Sequence, residues 1–199
     1  MGLLERKRSV VFAGENHLIT LYRPRSNQAV AGISCWRCTY SEYGEGFVLA
    51  LWCDPAAVEA PSLPPTAVYA DNTAMGRMVI ARFNRYFAGF HERGITQIEP
   101  QPARFVQQAE GRRLHRITAV TAELSIELLW QEVFDAALEV FDNRSGSEPY
   151  DVSAVICPCR RGTIAVNGVP LRGGVRVPAG ESASSAFLAF SETWVAREG

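Results

Sequence analysis

His115 is the side chain whose neighbours most suggest proton chemistry. It lies in Arg112-Arg113-Leu114-His115-Arg116-Ile117. Strand alternation puts Arg113, His115 and Ile117 on one face and Leu114 and Arg116 on the other. A face that lines a cavity gives an imidazole, with its ordinary pKa of about 6.5, the means to transfer a proton or to donate to a ligand. The commoner fate of such a charge run is a solvated strand face beside a turn. Glu123 and Glu127 are the other candidates. On a strand they share a face with Ser125, opposite Leu124, Ile126, Leu128 and Trp130. Their Cα atoms then stand about 13 Å apart, too far for a coupled acid/base pair without a long reach inwards. A helix would bring them closer, but Ile117-Thr-Ala-Val120 leads straight into the segment and favours the strand, with the glutamates facing solvent.

The remaining histidines read as structural. His17 opens a short β-rich run and suits an edge or turn, and His91 suits the C-terminus of a helix, where a cation is favoured. The sequence has no H-E-x-x-H, G-x-S-x-G, G-x-G-x-x-G or Asp-rich calcium loop. Its basic residues are 19 Arg and one Lys, Lys7, in a charged leader. Schiff-base chemistry and Walker-type phosphate binding would both rest on that lysine and are set aside. Asn143-Arg144-Ser145 matches a glycosylation sequon too short to carry weight, and Ser145-Gly146-Ser147 lacks the elbow a nucleophilic serine needs.

Five cysteines form a C-x-x-C, Cys35 and Cys38, a C-x-C, Cys157 and Cys159, and the single Cys53. Four thiols are the number a structural zinc needs, but the odd spacing inside a strand points Cys35 and Cys38 to opposite faces. No helix follows to make a redox pair. Reduced core cysteines are the expectation, with metal and disulfide as alternatives and no metal or cofactor assigned.

Trp36, Trp52, Trp130 and Trp194 each sit in a strand-like run, able to fill a core or to wall an apolar pocket. In the pocket reading, Tyr86, His115, Arg116 and Trp130 orient the ligand.

These groups need elements to hold them. Short β-rich runs recur about every ten residues: Ser9 to Ala13 and His17 to Tyr22, split by Gly14-Glu15-Asn16, then Val30 to Tyr40, Phe47 to Trp52, Ile95 to Ile98, Ala103 to Ala109, Leu114 to Val120, Leu124 to Val133 and further runs to Val195. Asn167-Gly168 suits a two-residue hairpin, Glu110-Gly111 a second turn, and Asn143 to Gly146 a third. One helix is expected over Thr73 to Phe90, capped by Asp71 or Asn72, with Met75, Met78, Val79, Phe83, Tyr86, Phe87 and Phe90 on its apolar face. The pattern predicts a mainly β single domain over residues 1–199. Its sheet is an antiparallel barrel or strongly bent, with the amphipathic helix packed against it, and a two-sheet sandwich is the alternative.

With 199 residues, 47% of them hydrophobic, the chain can bury a sizeable core, and a net charge of −1 argues against nucleic acid. No apolar run approaches the roughly 20 residues of a membrane span, and the early charges of the N-terminus argue against export, so the reading is cytoplasmic. The tail Ser184-Ser-Ala-Phe-Leu-Ala-Phe-Ser-Glu-Thr-Trp194 is similar to the closing strand of lipocalin-like hydratase-related proteins, over barely a tenth of the chain and with no catalytic residue in it. The leading expectation is a barrel or sandwich that holds a small apolar molecule in an internal cavity. The alternatives are a cofactor-independent hydratase, isomerase or lyase using a His or carboxylate there, and an assembly protein that forms a homodimer.

Overall fold

The computed structural model describes residues 8–61, 63–141, 149–178 and 183–197. Lys7 and the turn and sequon at Asn143 to Gly146 lie outside them. Among the described residues twelve strands make one sheet: β1 (Arg8–Tyr22), β2 (Ala29–Ser41), β3 (Gly46–Cys53), β4 (Thr66–Ala70), β5 (Gln101–Pro102), β6 (Arg104–Glu110), β7 (Leu114–Val120), β8 (Ser125–Val133), β9 (Ala137–Phe141), β10 (Tyr150–Val166), β11 (Val169–Pro170) and β12 (Ala186–Arg197). The order is β5-β4-β3-β2-β1-β12-β10-β8-β7-β6, with β9 and β11 also paired to β10. All pairings are antiparallel except β4 with β5. The sheet curls until it nearly closes into a barrel, the first of the two expected architectures.

Local chemistry explains the connections. Asn167 and Gly168 both take positive φ, 51° and 79°, and join β10 to β11 as a tight hairpin. The β6–β7 hairpin turns at Gly111, φ 56°. Strand β10 changes partner at a proline: up to Pro158 it pairs with β12, and from Cys159 onward with β8. Proline has no N–H to give a ladder, so it suits a crossover point, and its carbonyl accepts from the Phe134 N–H instead.

The sheet carries a core on each face. Inside the barrel lie Ile19, Leu21, Ile33, Cys35, Leu49, Leu51, Tyr69, Ile117, Leu128, Trp130, Ile164 and Leu188. On the outer face, Phe12, Trp36, Val48, Val68 and Trp194 pack beneath Met75, Val79 and Phe83 of the helical segment.

That segment corrects the expectation of one helix to Phe90. Helix α1 (Thr73–Arg82) stops at Phe83, a single 3-10 turn covers Asn84–Tyr86, and a short α2 (Ala88–His91) follows. The cause is the floor. Asn84 is fully buried, and its Oδ1 accepts from the Trp36 indole N–H at 3.3 Å. Phe87 turns to extended backbone, ψ 98°. The break lets Phe83, Tyr86 and Phe87 fan over Trp36 and Trp194, which one straight stripe could not do. Of the two expected caps, Asn72 is the one used, accepting from the Met75 N–H at 3.1 Å. The expected strand at Ile95 to Ile98 is instead a 3-10 turn, Ile95–Gln97.

Among the described residues no helix is long and apolar enough to cross a membrane.

Candidate functional site

The principal correction concerns β1. Gly14-Glu15-Asn16 does not split two strands. The strand runs unbroken from Arg8 to Tyr22, with register shifts on both sides of this tripeptide. Gly14 is there because β2 passes close: a Cβ would stand 2.0 Å from the Arg37 carbonyl oxygen. Next to Glu192, the partner of Gly14 on β12, Ser191 takes φ 52°, the mark of an extra residue in a bulged strand. Alternation through the bulge sends Glu15 and His17 into the barrel, beside Ile19 and Leu21, and Asn16 to the outer face.

Inside, β1 meets the opposite wall. The His17 and His115 rings stand edge to face with centroids 4.7 Å apart. Trp130 of β8 and Phe190 of β12 complete the cage, at 5.4 and 5.2 Å from His17. His17 is wholly buried and His115 is 4% exposed. At this level the four rings from facing walls pack edge to face on one another. Gln107 of β6 reaches over them and donates to Glu15 Oε2 and to His115 Nε2, each at 3.1 Å. Arg37 of β2 lies 3.4 Å from Glu15 Oε1 and over the Phe47 ring, which stacks on Phe105 at 5.2 Å and 8°. Glu15, Arg37, Gln107, Phe47 and Phe105 thus form a rim open to solvent above the two imidazoles, the Glu15 side chain 16% and that of Arg37 43% exposed.

The hydrogen bonds fix the protons. The Ala189 N–H donates to His17 Nδ1 at 3.2 Å, so that nitrogen holds a lone pair. Neutral His17 therefore carries its proton on Nε2 and donates it to Glu15 Oε2 at 3.2 Å. Glu15, an acceptor, requires the Gln107 amide nitrogen to face it. The same amide then donates to His115, whose Nε2 is left as an unprotonated base. Burial holds the His17 pKa below its usual value, against the pull of Glu15 and with repulsion from Arg37. Burial, with repulsion from His17 and Arg37, pushes that of His115 down to about 4, so it is neutral at pH 7. Burial alone would raise the Glu15 carboxyl. The His17 and Gln107 hydrogen bonds, with attraction from His17 and Arg37, outweigh it and keep the group ionised.

Glu15, His17 and His115 place three ligand atoms within 4.8 Å of one another, the number and types a first-row divalent ion takes. The outer contacts do not suit an ion. A ligating imidazole donates its second N–H outwards, whereas His17 Nδ1 accepts from a backbone N–H. Coordination through Nε2 would drive its proton to Nδ1, against the Ala189 N–H. The cluster fits protons, not a metal.

Of the sequence candidates, His115 and Trp130 come together in this cage. Arg116 and Glu127 face outwards and pair with each other at 3.3 Å, and Glu123 is exposed in the turn before β8. Tyr86 packs on Trp194 in the outer core, on the other side of the sheet. Sequence reasoning missed Glu15, His17, Gln107, Arg37 and Phe190. The alternation Glu15, His17, Ile19, Leu21 was the available signal, and Gly14 obscured it by looking like a turn.

The cysteines are free. Cys35 lines the inner core with Cys157 and Cys159, and Cys38 the outer, so the two thiols of the C-x-x-C do face opposite ways. Burial raises their pKa values, that of Cys159 to about 12.

Two surface clefts, of about 390 Å³ beside Arg23, Glu59 and Arg172 and about 340 Å³ beside Arg112, Arg113 and Glu132, have none of the cluster residues in their walls. No family model, curated protein or solved structure matches this chain.

Proposed function

We propose that the protein is a cofactor-independent enzyme of hydratase, isomerase or lyase type that moves a proton on a small, largely apolar molecule seated at the barrel rim. One observation carries the reading: a neutral imidazole, His115, presents an unprotonated Nε2 beside an ionised carboxylate at the place where the interior meets solvent. Phe47 and Phe105 supply an apolar wall, Arg37 a fixed cation for a polar or acidic group, and Gln107 a donor that swings from His115 to a substrate oxygen. In this scheme His115 Nε2 takes the substrate proton. Glu15 stabilises the imidazolium so formed, and His17 holds Glu15 in place through Nε2–H. Binding sits at the rim rather than deep inside, because the rings of β1, β7, β8 and β12 close the barrel below.

The test is exchange of C–H protons for deuterium in D2O across a panel of small enolisable ketones and unsaturated acids, beside thermal shifts with the same compounds. Turnover by the wild type and a loss of about 10²-fold or more in His115→Gln support the reading. Stabilisation without exchange leaves a binding protein only. No stabilisation and no exchange overturn both.

A further inference from the structure

The outer side of the β1–β12 bulge carries a second polar cluster, back to back with the first. Asn16, between Glu15 and His17 in the chain, points away from them and is buried. Ser34 of β2 donates to its Oδ1 at 2.9 Å. Glu192 of β12, paired in register with Gly14, is 5% exposed. It accepts from the Trp194 indole N–H at 2.7 Å and from the Asn16 amide. Nothing the rim chemistry uses explains a carboxyl in this apolar layer, and a buried carboxyl without a cation is costly. Among the described residues its shift comes from burial and two hydrogen bonds, with no charged side chain among the causes. Its partners are a neutral indole and an amide, and the titratable groups packed around them are Tyr86 and Tyr150, against the Trp194 ring, and the Cys38 thiol on β2.

We propose that Glu192 is a proton switch that regulates the rim cluster, turning the Asn16 amide as it ionises and so shifting Glu15 and His17 through the bulge they share. The inference rests on the rim reading for its functional meaning and on the bulge for its geometry. An ionised Glu192 offers only acceptors and needs the Asn16 NH2 group turned towards it. A neutral Glu192 has a hydroxyl proton to place, for which the amide must offer oxygen, and that competes with the Ser34 hydroxyl already on Asn16 Oδ1. Either rearrangement pulls on a backbone whose two neighbouring side chains are the Glu15–His17 pair. Position 189, which holds His17 Nδ1, stands three residues before Glu192, across the Ser191 bulge. Burial raises the Glu192 pKa to about 7, against the Trp194 and Asn16 hydrogen bonds, so the switch turns near neutrality, above the range where His115 titrates.

The Ala189 amide proton is the reporter, because its shift follows the bond to His17. It is followed by NMR from pH 5 to 8.5 together with the Glu192 carboxyl carbon. Coincident midpoints near 7 in the wild type, a flat Ala189 curve in Glu192→Gln, and a flat Ala189 curve over a retained Glu192 titration in Asn16→Ala support the switch. An Ala189 shift that ignores the Glu192 midpoint in the wild type overturns it, and that measurement needs no variant to fold. The read-out uses no substrate, so it stands apart from the exchange test. Lost exchange in His115→Gln with a flat Ala189 curve keeps the rim reading and sinks the switch. An Ala189 titration without any exchange does the reverse.

Discussion

At the residue scale, the two buried clusters pull stability in opposite directions as pH changes. His115 has a folded pKa of about 4, below the roughly 6.5 of an unfolded imidazole, so the unfolded chain binds the extra proton between these values. Its contribution is fully present above about pH 6.5 and is lost as pH falls towards 4, and His17, lowered for the same reason, adds to that loss. Glu192 is the mirror case. Its folded value of about 7 lies above the roughly 4.3 of an unfolded glutamate, so its contribution is full below about pH 4.3 and declines as pH rises through 7. The two effects partly cancel between pH 4.5 and 6.5. Urea midpoints across that window are therefore expected to rise more steeply with pH in Glu192→Gln and less steeply in His115→Gln. Parallel curves for all three proteins would mean that neither group is buried as described. His17→Ala is the harsher change. It leaves the Ala189 N–H buried without an acceptor and removes a donor from Glu15, an expected loss of about 2–4 kcal/mol, read from the same midpoints.

At the element scale, what decides positions is where strands and helices pass close to something. Gly14→Ala is expected to cost more than about 3 kcal/mol, because its Cβ would meet not a movable side chain but the Arg37 carbonyl oxygen of the central β1–β2 ladder. Recovery of the soluble folded protein and its urea midpoint check this, and a near-neutral result would mean that the bulge is free to re-register. Asn72→Ala removes a helix cap and two side-chain bonds to the Tyr43 and Glu45 carbonyls, and is expected to lower stability by about 1–2 kcal/mol. The same closeness divides what the sequence revealed from what it hid. The Asn167-Gly168 hairpin, the β6–β7 turn and the cap at Asn72 are local, so residue types a few positions apart specify them. The alternation of β7 and β8 was legible too, and it correctly set His115 and Trp130 apart from Arg116 and Glu127. Gly14 was misread because a glycine demanded by a neighbouring strand looks, in one dimension, like a glycine demanded by a turn. The helix was overextended because its apolar spacing continues past Phe83, whereas the aromatic floor of Trp36 and Trp194 that breaks it comes from distant strands. Gln107 could not be found at all, since its partner Glu15 lies 92 residues away.

At the scale of the whole molecule, one sheet serves two cores, and this ties the rim cluster to the helical cover on its far side. Trp130 reports the inner core, with its indole N–H on the Leu18 carbonyl at 2.9 Å, while Trp36 and Trp194 report the outer. Strands β1 and β12 contribute to both: Ile19 and Leu188 inwards, Phe12 and Trp194 outwards. Neither core can then dissolve while the other keeps its walls, because the shared strands would lose the buried contacts of one face and keep their ordering cost. Phe83 is fully buried on the outer side, against Phe12, Trp36, Tyr150 and Trp194. Truncating it in Phe83→Ala is expected to cost about 3–5 kcal/mol. The loss should appear as one shifted transition, with the same midpoint for Trp130 fluorescence, isolated by replacing Trp36, Trp52 and Trp194 with Phe, as for far-UV circular dichroism. Were the helical cover a separate appendage, Trp130 would keep the midpoint it has with Phe83 in place while the far-UV signal shifted. That outcome would also disconnect Glu192 from the rim, since the Asn16 bulge conveys a rearrangement only if both faces of β1 are held in the same cooperative unit.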